Sequence, residues 1–292
     1  MQPTLVRDRL EYWLLRPDAR LAGHVRCYFV VDAGIASYEH DELLLPDGYA
    51  EIVFALDAGY ERWAVGDEQR RSVMRRSYVI GGRSHSVMTS GSRRLKLVGV
   101  KLEPQALRRM IGVPLGEFRD ATLELRDLDH RPLTELEDAV AGASCVEDIA
   151  ATLDRFFLCH LDLGAGDPVV DRTVRGIRAA RGMSSIARVS ESLGMDERTV
   201  ERRFTDCIGM TPKKYARIVR FKHSYHALLT RGAAAPRNGE HLDGYYDQSH
   251  FIREFRYFTG TTPMSLLARR VASSTAVTDH LLRGDLSAAV SN

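Results

Sequence analysis

The chain has 292 residues, 44% hydrophobic and 27% charged, with a net charge of +2: the composition of an ordinary globular protein of about two domains. No signal-like segment opens it and no run approaches the ~18 apolar residues of a membrane span, so a cytoplasmic protein without membrane attachment is expected. Cys27, Cys145, Cys159 and Cys207 lack the spacing of a disulfide framework or zinc site, and free thiols are expected.

The charge is unevenly spread. Residues 167–270 carry 19 Lys/Arg against 11 Asp/Glu, a net +8, whereas residues 1–166 carry 21 against 26, a net −5, and residues 271–292 add −1. A basic half behind an acidic one points to a polyanionic partner, the bland alternative being a solvated basic face.

In chain order, the first hundred residues read as strands and turns. Val25–Val31, Glu51–Leu56, Tyr60–Val65 and Leu95–Leu102 are rich in β-branched and aromatic residues. Pro46-Asp47-Gly48, Asp57-Ala58-Gly59 and Gly81-Gly82 punctuate them with turn chemistry, which predicts a β-barrel or sandwich. Helices follow. Pro104 suits a first turn and Gly112 a C-cap, placing a short helix at Pro104–Ile111. Thr134 with Glu137, and Ser144 with Glu147, read as capping boxes. Behind the second, Ile149, Leu153, Phe156 and Phe157 form an apolar stripe for core packing or a dimer interface. Leu163–Pro168 marks a boundary between residues 1–166 and 167–270, and the Ser/Ala-rich residues 271–292 read as a loose tail with a frayed turn at His280–Leu286.

The basic half contains a repeat. Arg202, Phe204, Gly209, Thr211 and Pro212 recur 51 residues later as Arg253, Phe255, Gly260, Thr262 and Pro263. In the first copy, Ser184 is placed to cap a helix burying Ile186, Val189 and Leu193; Gly194 ends it, and Asp196 caps a second helix with Val200 and Phe204 inward. That is a helix–turn–helix, whose second helix enters the major groove. Its outward residues include Arg198, Thr199, Glu201 and Arg202; arginine matches guanine and glutamate accepts from cytosine. Arg203, Lys213 and Lys214 suit phosphates. Thr211-Pro212 opens a spacer helix of about thirty ångströms, close to one turn of B-DNA. In the second copy Asp247 caps, Phe251 and Phe255 point inward, and Gln248, Ser249, His250 and Arg253 are expected to point outward.

The two-copy layout, the run Gly244-Tyr-Tyr-Asp-Gln-Ser-His-Phe251 and the Gly-x-Thr-Pro ending of both copies resemble the AraC/XylS family of bacterial transcription regulators, over about Val169–Leu267. The amino-terminal half resembles a domain found ahead of such modules, through Leu45-Pro46-Asp47-Gly48, Gly99–Pro104 and Gly112-Val113-Pro114. The resemblance implies an α+β chain: an amino-terminal cupin-like β-barrel with flanking helices for sensing or dimerisation, and an all-α domain of two helix-turn-helix units reading successive major-groove segments of double-stranded DNA. It also implies a homodimer, contact with RNA polymerase and a small-molecule effector. The sequence departs from the family at residues 232–243, where Pro236 and Gly239 interrupt the helix expected ahead of the second copy, so the first copy is expected to carry more of the specificity. The alternative is a ligand- or protein-binding regulatory module whose second unit is degenerate and does not read DNA.

No enzyme is expected. His24, His40 and His85 are isolated and lack the His-x-His pair of a metal-binding cupin, so no metal or other cofactor is predicted. Ser84 and His85, adjacent on a strand, point to opposite faces and make a poor nucleophile–base pair.

Overall fold

A computed structural model describes residues 2–7, 10–33, 40–57, 59–91, 94–164, 166–231 and 244–270. The expected tail, with its turn at His280–Leu286, and the 232–243 segment holding Pro236 and Gly239 lie outside these residues.

Among the described residues, eleven strands precede the helical half: β1 (Leu5–Arg7), β2 (Leu10–Leu15), β3 (Val25–Asp32), β4 (His40–Leu44), β5 (Ala50–Ala55), β6 (Tyr60–Ala64), β7 (Ser72–Met74), β8 (Tyr78–Ile80), β9 (Val87–Gly91), β10 (Lys96–Leu102) and β11 (Thr122–Glu124). They form two antiparallel sheets, ordered β1-β2-β3-β10-β5-β8-β11 and β4-β9-β6-β7. No hydrogen-bonded ladder joins the sheets among the described residues, so they lie as an open pair and the expected barrel is not closed.

Period-two alternation gives the large sheet two different faces. Val30, Ile52, Phe54, Val79, Val98 and Val100 point into a core shared with the helices. Phe29, Val31, Glu51, Val53, Leu97 and Lys101 point the other way, toward the small sheet. The β10–β5 register pairs Lys101 with Glu51, placing opposite charges side by side on that inner face.

Three helices cover the outer face: α1 (Pro104–Ile111), α2 (Arg131–Ala141) and α3 (Val146–His160). The α1 boundaries match the sequence, with Gly112 left-handed at φ 72°. The capping boxes do not form as expected. His130 caps α2 by accepting from the Leu133 amide, which leaves Thr134 inside the helix, and Cys145 rather than Ser144 occupies the N-cap of α3. The stripe Ile149, Leu153, Phe156 and Phe157 is buried in this chain's own core. The Phe157 ring lies 6.3 Å from that of Tyr28, whose hydroxyl donates to Asp154 over 2.8 Å.

Six further helices follow: α4 (Pro168–Ala179), α5 (Ile186–Leu193), α6 (Glu197–Ile208), α7 (Pro212–Arg231), α8 (Gln248–Thr259) and α9 (Pro263–Arg270). Asp167 caps α4, which buries Val170, Val174 and Ile177 on one face. Their core gathers Phe204, Tyr215, Phe221, Phe255 and Phe258 and takes in Leu43 and Leu45 from the small-sheet side. The two halves therefore share one apolar cluster.

Replacing Phe157 with alanine removes a fully buried ring from the sheet–α3 contact and is expected to cost about 3–5 kcal/mol. Urea unfolding of F157A measures this; a loss below about 1 kcal/mol would show that α3 is not part of the cooperative core.

Candidate nucleic-acid interface

Helix α5 is capped by Ser185, one residue beyond the expected Ser184, through the Arg188 amide at 3.3 Å. Gly194 then turns the chain at φ 62°, a conformation glycine adopts without a Cβ penalty. Asp196 accepts from the Thr199 amide over 2.8 Å and starts α6. Val200 and Phe204 are fully buried, and this fixes which side of α6 faces solvent.

On that outward side stand Arg198, Glu201 and Arg202, all exposed. Thr199 is half-buried, and its backbone belongs to the cap. Arg203 departs from the phosphate role expected of it. Its Nε and Nη2 each lie 2.7 Å from Asp167, so it ties α6 to the boundary between the halves. Lys213 is exposed, whereas Lys214 sits half-buried 4.0 Å from Asp120.

Helix α7 begins at Pro212, with the Lys214 amide donating to Thr211 Oγ1 at 3.3 Å, and its twenty residues span about 30 Å. Helix α8 repeats the α6 start, Asp247 accepting from the His250 amide over 2.7 Å. Gln248, Ser249 and Arg253 are exposed on it as expected. His250 is half-buried and turned inward. Its Nδ1 accepts from the Tyr246 amide at 3.3 Å, and its Nε2 lies 3.6 Å from Glu254.

Glu254 is the residue that sequence reasoning missed. Only 5% exposed, it accepts from Arg220 Nη2 at 2.8 Å and from Arg217 Nε at 3.4 Å, locking α8 onto α7. The ring of Tyr245 lies 4.9 Å below Arg220, and that of Tyr257 lies 4.7 Å from Arg217. An acidic residue within an arginine-rich stretch was the available signal. Tyr246, 94% exposed beside the α8 cap, was also unmarked.

Between the two sheets lies a cavity of about 90 Å³, lined by Tyr12, Phe29, Leu44, Tyr60, Tyr78 and Leu97 among others. At one end Lys101 bonds Asp47 and lies 3.0 Å from Glu51, which also accepts from Arg83 at 2.5 Å. Burial raises the Asp47 carboxyl, but the charges of Lys101, Lys222 and Arg83 together outweigh it and hold Asp47 at about 2. Burial likewise disfavours the Lys101 ammonium, yet Asp47 and Glu51 hold it charged above its ordinary range. The Tyr12 hydroxyl is buried at the cavity without a hydrogen-bond partner among the described residues.

Ser84, His85 and Asp120 do meet, but not as a nucleophile relay. Ser84 gives both its amide and its hydroxyl to Asp120, at 2.6 and 2.5 Å, and His85 Nδ1 approaches the same carboxylate at 3.2 Å. The serine proton is thus directed to the acid rather than to the imidazole, a structural arrangement. His24 stands elsewhere, beside Arg109. No described helix is long and apolar enough to cross a membrane.

Residues 189–269 match a family of helix-turn-helix domains, and residues 14–124 match a domain of unknown function (DUF6597). Among solved structures, ToxT from Vibrio cholerae is similar at 11% identity and TM-score 0.44, over 82% of this chain and 97% of that one. ToxT in an unsaturated-fatty-acid-bound form is similar at 10% identity and TM-score 0.40, over 82% and 93%. The AraC-like transcriptional activator CuxR is similar at 11% identity and TM-score 0.28, over 74% and 87%. No curated protein matches the chain. The matched span includes α6 and its exposed face, so residues 189–269 are a helix-turn-helix domain. The Gly-Tyr-Tyr-Asp-Gln run and the two Gly-x-Thr-Pro endings that resemble the AraC/XylS family all fall within that matched span.

The acid limb of stability is set partly by Asp120. Burial pushes its carboxyl up, but bonds from His85 and Ser84 bring it to about 2 from an ordinary 3.8. This stabilisation, roughly 2 kcal/mol, is full above about pH 4 and fades as pH falls toward 2. Thermal melts of wild type and Asp120→Asn between pH 2 and 7 are expected to converge at low pH and to diverge above pH 4; parallel curves would contradict the assignment.

Proposed function

We propose that this chain is a transcription regulator of the AraC/XylS type that reads double-stranded DNA with two helices, α6 and α8, set in successive major-groove segments on one face of the duplex. The observation that carries the reading is the presentation of Arg198, Glu201 and Arg202 on the open side of α6, repeated by Gln248, Ser249 and Arg253 on α8, each above a buried phenylalanine pair or its equivalent. Arg198 and Arg202 lie one turn apart and reach one groove; their guanidinium groups match guanine O6 and N7, and Glu201 matches cytosine N4. Gln248 suits adenine, Arg253 guanine or phosphate, and Lys213 phosphate. Thr199 and His250 hold the helix starts and contribute to recognition through position rather than as free outward groups.

On this reading residues 167–270 form the DNA-binding domain and residues 1–166 a sensing domain, acting in the cytoplasm. The inter-sheet cavity, with a charged end and the free Tyr12 hydroxyl, is the place for a small-molecule effector. Its size admits a small ligand.

Alanine at Arg198 or Arg202 is expected to cost about 1–3 kcal/mol at particular base pairs, read by binding to a panel of single-base variants of the selected site. Equal weakening on every sequence would move these residues to phosphate contacts. The affinity of the wild-type chain is expected to fall steeply with salt, log K changing by about 0.9 per log unit for each phosphate contacted. A salt-independent interaction would favour the protein- or ligand-binding alternative.

A further inference from the structure

Both copies of the repeat end on a glycine, and both ends are gripped by the amino-terminal half. Gly209 closes α6 at φ 81° and Gly260 closes α8 at φ 69°. Each sits against the neighbouring half with no space for a side chain: a Cβ on Gly209 would fall 3.0 Å from the Leu115 carbonyl oxygen, and one on Gly260 would fall 2.5 Å from Val65 Cγ1.

The grip is polar as well. Arg119 Nε donates to the Gly209 carbonyl over 2.6 Å, and the Ser86 hydroxyl donates to the Phe258 carbonyl two residues before Gly260. These are carbonyls of helix ends, which need partners from outside the helix. Gly82 lies against the first unit, where an added Cβ would be 3.3 Å from the Ile208 carbonyl oxygen. The six residues 81–86 between β8 and β9 therefore touch the ends of both α6 and α8.

That loop has little freedom of its own. Arg83 turns down to Glu51 in the cavity wall at 2.5 Å, and Ser84 is bonded twice to Asp120. Asp120 follows Arg119 directly, so the anchor of the loop and the donor to Gly209 are one segment.

We propose that residues 81–86 together with Arg119 form a spacing clamp: Ser86 and Arg119 are positioning residues that fix the offset between α6 and α8, and thereby the number of base pairs accepted between the two segments read. The inference rests on both helices meeting DNA. Inserting one base pair moves the second segment about 3.4 Å along the duplex and about a tenth of a turn around it. Two helices whose C-terminal ends are both held by one loop resist that movement more than two helices tied through α7 alone.

The test uses the full chain and a duplex site selected by the wild type from random DNA, then remade with one base pair inserted or deleted between the two contacted segments. Wild type is expected to lose about tenfold or more in affinity on either change. Ser86→Ala/Arg119→Ala is expected to bind the original site within about threefold of wild type and to lose no more than about threefold on respacing. Because Ser86 is buried, Arg119→Ala alone, at an exposed position, is the second variant. Faster amide exchange at residues 208–211 in it reports the loosened grip directly. An unchanged respacing penalty in both variants overturns the clamp, as does a wild-type footprint confined to a single segment. A wild-type chain with no sequence-selective binding overturns the underlying DNA reading instead, so the two failures are distinguishable.

Discussion

Four charges buried between the sheets hold the rest of the molecule in place. Asp47, Glu51, Lys101 and Arg83 make a neutral set, two acids against two bases, in surroundings that would reject any of them alone. Removing one partner of such a set strands the others at a cost of about 3–5 kcal/mol. Each member comes from a different segment: the turn before β5, β5 itself, β10, and the loop between β8 and β9. The set therefore fixes two loops in one arrangement, and both loops face the helical half. Beside Asp47, a Cβ on Gly48 would fall 2.8 Å from the Tyr215 ring, and Tyr49 lies under Arg178 and Lys222. Beside Arg83 lie Gly82 and, three residues on, Ser86.

The contact between the halves has an apolar centre and a charged border. Leu43 and Leu45 join the cluster of Phe204, Met210 and Tyr215. Around it Arg178 makes a paired contact with Glu103, both nitrogens at 3.0 Å, while its Nε donates to the Tyr215 hydroxyl at 2.8 Å. Arg203 with Asp167, and Gln105 with both Asp167 and Asp171, continue the border. Several arginines of the basic half are thus spent internally. Arg178, Arg203, Arg217 and Arg220 all serve packing between elements, whereas Arg198, Arg202, Lys213 and Arg253 are among those that face outward. The net charge of the half pointed to a polyanion, but it did not say which cations were available.

The helical half was legible because its signals are local. A capping aspartate, a left-handed glycine and an inward pair four residues apart all lie within one window, so α6 and α8 appear in the sequence nearly residue for residue. The caps that failed did so where two hydroxyls or a histidine compete within a few residues, as at Ser184 and Ser185 or at His130 and Thr134. The strand half was harder. β3, β5 and β10 carry β-branched residues and β6 carries aromatic ones, and these were visible; β4, β7 and β9 hold charged and small residues and were not. Whether the sheets close is decided by pairings between distant strands, which no local window contains. Glu51 and Lys101 break the expected apolar alternation, and they do so at the cavity. His250 and Glu254 show the same limit on a helix: their positions were readable, but the arginines on α7 that draw Glu254 inward lie about 35 residues away in sequence.

The shared apolar cluster has a further consequence for how such a chain could be divided. A cut near residue 167 would leave the helical half without Leu43 and Leu45 over Phe204, Met210 and Tyr215, without a donor for the Gly209 carbonyl, and with Arg178 stripped of Glu103. The half that carries α6 and α8 is therefore no detachable cassette. Joined to a different amino-terminal partner, it would need that partner to supply the same two leucines, the same glutamate and the same loop, so the two halves are constrained to change together.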